Sequence, residues 1–150
     1  MGKQSKRRGS VKRPSFLQLS LDALEQKDWG EQAFDSYVVR TAHALRKKPL
    51  RDLTDEELRL ALSQQIGLRW IAELAVERLS ENLFRAGDFY AGDVLVACLR
   101  LPSTFWASQP DLSSRVASLA SSAKSELCRL SEYERPTIAA ALDEYVVQSS

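Results

Sequence analysis

The sequence predicts an all-α, single-domain protein of about six or seven helices, arranged as a bundle or a layered array. Three observations predict it. Apolar residues recur at three- and four-residue spacing through most of the chain, and no segment sustains the alternation of a β-strand. Helix start and stop signals are frequent and well placed, among them LTDEE at 53–57, Gly67 and Pro136. At 150 residues, 44% hydrophobic and 27% charged, the chain is long enough to bury one core and ordinary in composition for a globular domain.

The elements follow in order. Leu17, Leu19, Leu21 and Leu24 open the ordered region, and Ser20 is placed to cap a short helix ending near Gln26. KDWGEQ then breaks the pattern at Gly30. From Asp35 to Lys47, Tyr37, Val38, Ala42 and Leu45 form a helical apolar stripe, and Pro49 stops it. Thr54 and Glu57 form a capping box, with Leu53 and Leu58 as its hydrophobic staple. That helix runs to Gly67, read as a left-handed terminator. A second helix, with Trp70, Ile71, Leu74, Ala75 and Leu79 on one face, follows to about Asn82. After the stretch RAGDFYAGDVL at 85–95, a helix starting at Gly92 or Asp93 ends before Pro102. Ser103–Ala107 reads as one more turn, turning Phe105 and Trp106 inward. A longer helix from Asp111 or Ser113 carries Val116, Leu119, Ala120, Ala123, Leu127 and Leu130. Pro136 suits the first position of a last helix, 137–147.

Charge divides the chain. Residues 1–14 hold six of the 21 basic residues and no acid, so residues 15–150 carry 15 basic against all 20 acidic residues, a formal charge of −5. The basic segment has too few apolar residues to fold alone and is expected to be a disordered tail ahead of a folded domain at 15–150. No apolar run approaches the roughly 18 residues of a membrane span, and no apolar segment follows the basic start as a secretory signal would require. Cys98 and Cys128 lie in helical apolar patterns without CxxC spacing. Both are expected to be reduced core residues of a cytoplasmic protein.

Catalytic and ligand-binding signatures are missing. The single histidine, His43, has no GxSxG serine to serve and reads as a partly buried helical residue. One histidine and two distant cysteines do not suggest zinc, and GDFYAG lacks the lysine and spacing of a phosphate loop. Asp88 and Asp93 stand five apart with aromatics between them, unlike the alternating oxygens of a calcium loop. The expectation is therefore no enzyme, no catalytic residue, no metal and no cofactor.

The order of motifs is more specific than any one of them. Pro49-Leu50, Leu58-Arg59, Gln64 and Gly67-Leu68 are followed by Asn82-Leu83, Gly87-Asp88-Phe89-Tyr90, Gly92-Asp93, Val94-Leu95 and Phe105-Trp106. This set resembles contact-dependent growth inhibition (CDI) immunity proteins, the helical family with a GDFY-GD segment. The resemblance covers about residues 20–107. It implies an inhibitor that binds the C-terminal toxin domain of a neighbour's surface protein, often a nuclease and commonly one that cuts tRNA. The basic tail has no counterpart in it. An acidic domain suits a basic, phosphate-binding partner. The competing readings are an RNA-binding module using the tail and a helical adaptor.

Within the loop, Gly87 and Gly92 are expected to permit turns, at least one of them with positive φ. Asp93 is expected to cap the next helix and Phe89 to be core. The expected partner-binding residues are Glu56, Glu73, Glu77, Asp88, Tyr90 and Asp93; the expected structural residues are Thr54, Glu57, Gly67, Gly87 and Gly92.

Overall fold

A computed structural model describes residues 15–26 and 36–149. The 1–14 tail, the break at Gly30 and Asp35 lie outside the described residues. Among the described residues the chain forms eight α-helices, joined by turns and short 3-10 segments, with no strand pairing beyond one isolated bridge. None of these helices is long and apolar enough to cross a membrane.

Helix α1 (Leu21–Glu25) starts at Ser20, whose hydroxyl accepts the Ala23 N–H at 3.2 Å, and ends at left-handed Gln26. Helix α2 (Tyr37–Lys47) starts at Ser36 by the same device. Its basic end has a tertiary use as well as a favourable dipole position. Arg46 is buried, and its guanidinium donates to Asp22 at 3.0 Å and to Glu25, fastening α2 to α1. The expected apolar stripe of α2 is only partly buried: Leu45 is fully covered, whereas Tyr37 and Val38 are exposed. They occupy the first turn, ahead of the part of α2 that reaches the core.

Helix α3 (Asp55–Ser63) has its capping box complete. Glu57 N–H donates to Thr54 Oγ1 at 3.0 Å, and Thr54 N–H donates to Glu57 Oε1 at 2.9 Å. Leu53 and Leu58 are both buried beside it. Gly67 is not what ends α3. Gln65 takes the left-handed conformation, its N–H donates to the Leu62 carbonyl, and Ile66 N–H donates to the Ala61 carbonyl at 2.8 Å. This is a Schellman termination on a non-glycine residue, completed by Ile66 packing on the core. Gly67, also left-handed at φ +55°, is instead the N-cap of α4 (Leu68–Glu81). A Cβ there would stand 2.6 Å from a Leu21 methyl, so the glycine lets α1 close over the bend.

Helix α5 (Asp93–Leu99) is short but central. Val94, Leu95, Val96, Cys98 and Leu99 are all buried because α3, α4 and α8 surround it. Helix α6 (Ser103–Ala107) turns the chain and buries Trp106. Helix α7 (Pro110–Ser125) begins at a proline and lies along α4. It stops earlier than the periodicity predicts. A 3-10 turn at Leu127–Arg129 leaves Leu127 half-buried and exposes Cys128, which is therefore not a core residue. Helix α8 (Arg135–Ser149) returns across α5. Burial in this core pushes the Cys98 thiol up to about 12, which leaves it protonated and unreactive.

Candidate functional site

The connector between α4 and α5 doubles back on itself. Gly92 N–H reaches the Phe84 carbonyl at 3.1 Å, and Ala86 pairs with Ala91 in the isolated antiparallel bridge. What holds the tip is a set of carboxylates. Asp93 is 3% exposed and points back into the loop. Its Oδ1 accepts the Gly87 N–H at 2.6 Å; its Oδ2 accepts those of Phe89 and Tyr90 at 3.1 and 3.4 Å. Glu56 Oε1, on α3, accepts the Asp88 N–H at 2.9 Å. Glu134, in the turn before α8, accepts the Ala91 N–H at 3.3 Å. Each N–H from 87 to 92 thus has an acceptor within the protein, which is unusual for an exposed loop tip.

Arginines support the same carboxylates. Arg59 donates to both oxygens of Glu56, at 2.7 and 2.6 Å, and its guanidinium lies 4.3 Å from the centre of the Phe89 ring. The Arg59 hydrogen bond holds the Glu56 carboxyl below the usual range, against the opposing effect of burial. At the root of the loop, Asp55 accepts from Arg85 at 3.1 Å and from Arg78 at 3.2 Å. Beside it, burial would raise Glu57, but Lys48 at 2.8 Å and the Thr54 amide bring it below its usual value.

Two glycines are needed here for different reasons. Gly92 has φ +94°, and a Cβ on it would meet Ile138 Cδ1 at 2.7 Å. Gly87 has no positive φ; its missing side chain makes room for Glu56 Oε1 at 2.6 Å and for the Asp93 carboxylate.

Two expectations are corrected. Asp93 is the first residue of α5 and not its cap; Gly92 is the N-cap, and the Asp93 carboxylate serves the preceding loop. Phe89 is not core: it is 68% exposed, because the amides on either side of it are drawn inward and its side chain is turned out. Tyr90 is half-buried against the core, and burial raises its phenol above the usual value.

Of the expected partner-binding residues, the fold brings Glu56, Asp88, Tyr90 and Asp93 to this one loop. Asp88 has an exposed side chain; Asp93 has almost no surface to offer. Glu73 lies elsewhere, on α4, paired with Arg115 of α7 at 3.1 Å, and Glu77 is a half-buried residue one turn further along α4. Two open clefts flank the loop. One, of about 540 Å³, is lined by Tyr37, Asp55, Glu56, Glu57 and Asp88. The other, of about 380 Å³, is lined by Arg59, Gln65, Phe89, Tyr90 and Arg100. Phe89 and Arg59 were missed as surface features. Arg59 and Glu56 do stand at the i, i+3 spacing of a helical ion pair, a signal available in the sequence. For the outward turn of Phe89 no local signal exists.

The carboxylates of Glu56, Asp93 and Glu134 are committed to the backbone amides of this loop, and what they produce is a hydrogen-bonded, outward-facing tip that leaves the Asp88 side chain exposed. Such a tip suits contact with another surface. Neither the curated proteins nor the solved structures give a match to this chain. The family model for CDI immunity proteins matches residues 23–116, more than half of the chain and including the whole of the carboxylate-bound loop. On that match, this chain belongs to the CDI immunity proteins.

Proposed function

We propose that the protein acts in the cytoplasm as an immunity protein, neutralising its cognate toxin by direct binding, and that the toxin domain is a basic nuclease. The family match carries the toxin-binding part of this reading. The formal charge of −5 over residues 15–150 supports the choice of partner, since a nuclease cleft must attract phosphates and complementary charge speeds encounter. Inhibition then needs no chemistry of the inhibitor's own. Asp88 is the acidic contact best placed at the loop tip. Glu73 and Glu77 add negative charge along α4. Glu56, Tyr90 and Asp93 contribute by holding the tip in place.

The test is protection of cells expressing the cognate CDI toxin domain. Protein lacking residues 1–14 is expected to bind the toxin and protect as full-length protein does. Failure of both proteins to bind or protect overturns the reading. Protection that needs the tail, with salt-sensitive RNA binding by the tail alone, favours the nucleic-acid module instead.

A further inference from the structure

The loop at 86–91 is built jointly with a second turn. Glu134, which accepts the Ala91 amide, also accepts the Ser131 hydroxyl at 3.0 Å, and Ser131 in turn accepts the Glu134 N–H at 3.2 Å. The open face of Gly92 lies against Ile138 of α8, just beyond that turn. The two segments are therefore one hydrogen-bonded unit. Each turns an aromatic side chain away from the core: Phe89, 68% exposed, and Tyr133, 86% exposed. These are the two most exposed large hydrophobic residues among those described. Each directly follows an exposed carboxylate, Asp88 and Glu132.

We infer that these two tips together form the toxin-docking surface, with Phe89 and Tyr133 as aromatic anchors and Asp88 and Glu132 as acidic guides, facing a lysine- and arginine-rich surface of the toxin domain. The inference rests on the toxin-binding reading and adds to it a surface and a partner chemistry. Aromatic faces attract guanidinium and ammonium groups, and adjacent carboxylates pair with the same cations. Arg59 already shows this contact on the inner side of Phe89. The held amides mean that little ordering cost remains when a partner arrives. Tyr133 also lies outside the matched stretch, 23–116, whereas Phe89 lies within it. The surface thus joins a tip within the matched stretch to one outside it, and discrimination between toxins is assigned to the Tyr133 side.

The experiment is titration of the purified cognate CDI toxin domain against full-length protein and variants. Phe89→Ala and Tyr133→Ala are each expected to weaken binding roughly 30-fold, as central aromatic contacts do. The double variant is expected to lose on the order of 100-fold or more, with unchanged thermal unfolding. Asp88→Lys with Glu132→Lys is expected to slow association, most at low salt. If Phe89→Ala alters unfolding through its contact with Arg59, Tyr133→Ala and Glu132→Lys decide. Wild-type binding that the aromatic variants leave unchanged overturns this surface and leaves the toxin-binding reading standing. No binding by the wild-type protein overturns both.

Discussion

Asp93 shows how one side chain can organise a loop. Its two oxygens face three backbone N–H groups, Oδ1 toward Gly87 and Oδ2 toward Phe89 and Tyr90. Asp93→Asn therefore has no good orientation, since either one sets an amide NH₂ against a backbone N–H. It is expected to lose about 2–3 kcal/mol in chemical denaturation, with faster hydrogen exchange at the amides left unpaired. Glu56 adds a pH dependence. Its folded pKa is lowered, chiefly by the Arg59 hydrogen bond, so its contribution is present above the unfolded carboxylate pKa and is lost as pH falls through the folded value. Stability should then decline on acidification below about pH 4.3, the ordinary glutamate value. Glu56→Gln should flatten that decline in a series of unfolding curves; an unchanged acid limb would remove Glu56 as a contributor.

At the scale of elements, α3 combines a local start with long-range attachments. Thr54 satisfies one amide and Glu57 returns the bond, while Glu57 also binds Lys48 from the end of α2. Thr54→Ala is expected to cost about 1 kcal/mol in thermal unfolding, the usual loss for a missing N-cap acceptor. The helix should persist, because Leu58, Ala61 and Leu62 remain buried. Helix α5 is the opposite case. Seven residues form no stable helix in water, so its helicity depends on the walls of α3, α4 and α8. This explains why its sequence, DVLVACL, is apolar on nearly every side.

For the whole molecule, α8 links the core to the loop. Ile138 is fully buried and lies under Gly92, and the turn before it supplies Glu134 to Ala91. Ile138→Ala should cost roughly 2–5 kcal/mol, the range for truncating a buried isoleucine. Beyond that loss, hydrogen exchange at Ala91 and Gly92 should quicken relative to the centre of α4. Uniform loss of protection would mean that the loop and α8 are not specially coupled. The same coupling holds the loop in position although it lies at the surface, and for the docking surface inferred above it would lower the binding energy spent on ordering.

By itself the sequence determined the helical class, the starts at Ser20 and Thr54, the turn at Gly92 and the family resemblance. Those signals lie within a few residues of one another and depend on bonds that close locally. Its expected apolar stripe for α2 held for Leu45 but not for Tyr37 and Val38, since periodicity marks a face without saying how far the core extends along it. Gly67 looked like the terminator of α3, but Gln65 took the left-handed position, held there by a Schellman closure onto Ala61 and Leu62. Only the tertiary structure decided that Asp93 turns inward and Phe89 outward. In a turn, side-chain direction follows backbone dihedrals, and here those are set by acceptors on α3, on α5 and before α8. Glu56 lies 32 residues from the Asp88 amide it accepts, and Glu134 lies 43 residues from Ala91. Hydrophobicity placed Phe89 in the core; the carboxylates that hold its neighbouring amides placed it at the surface.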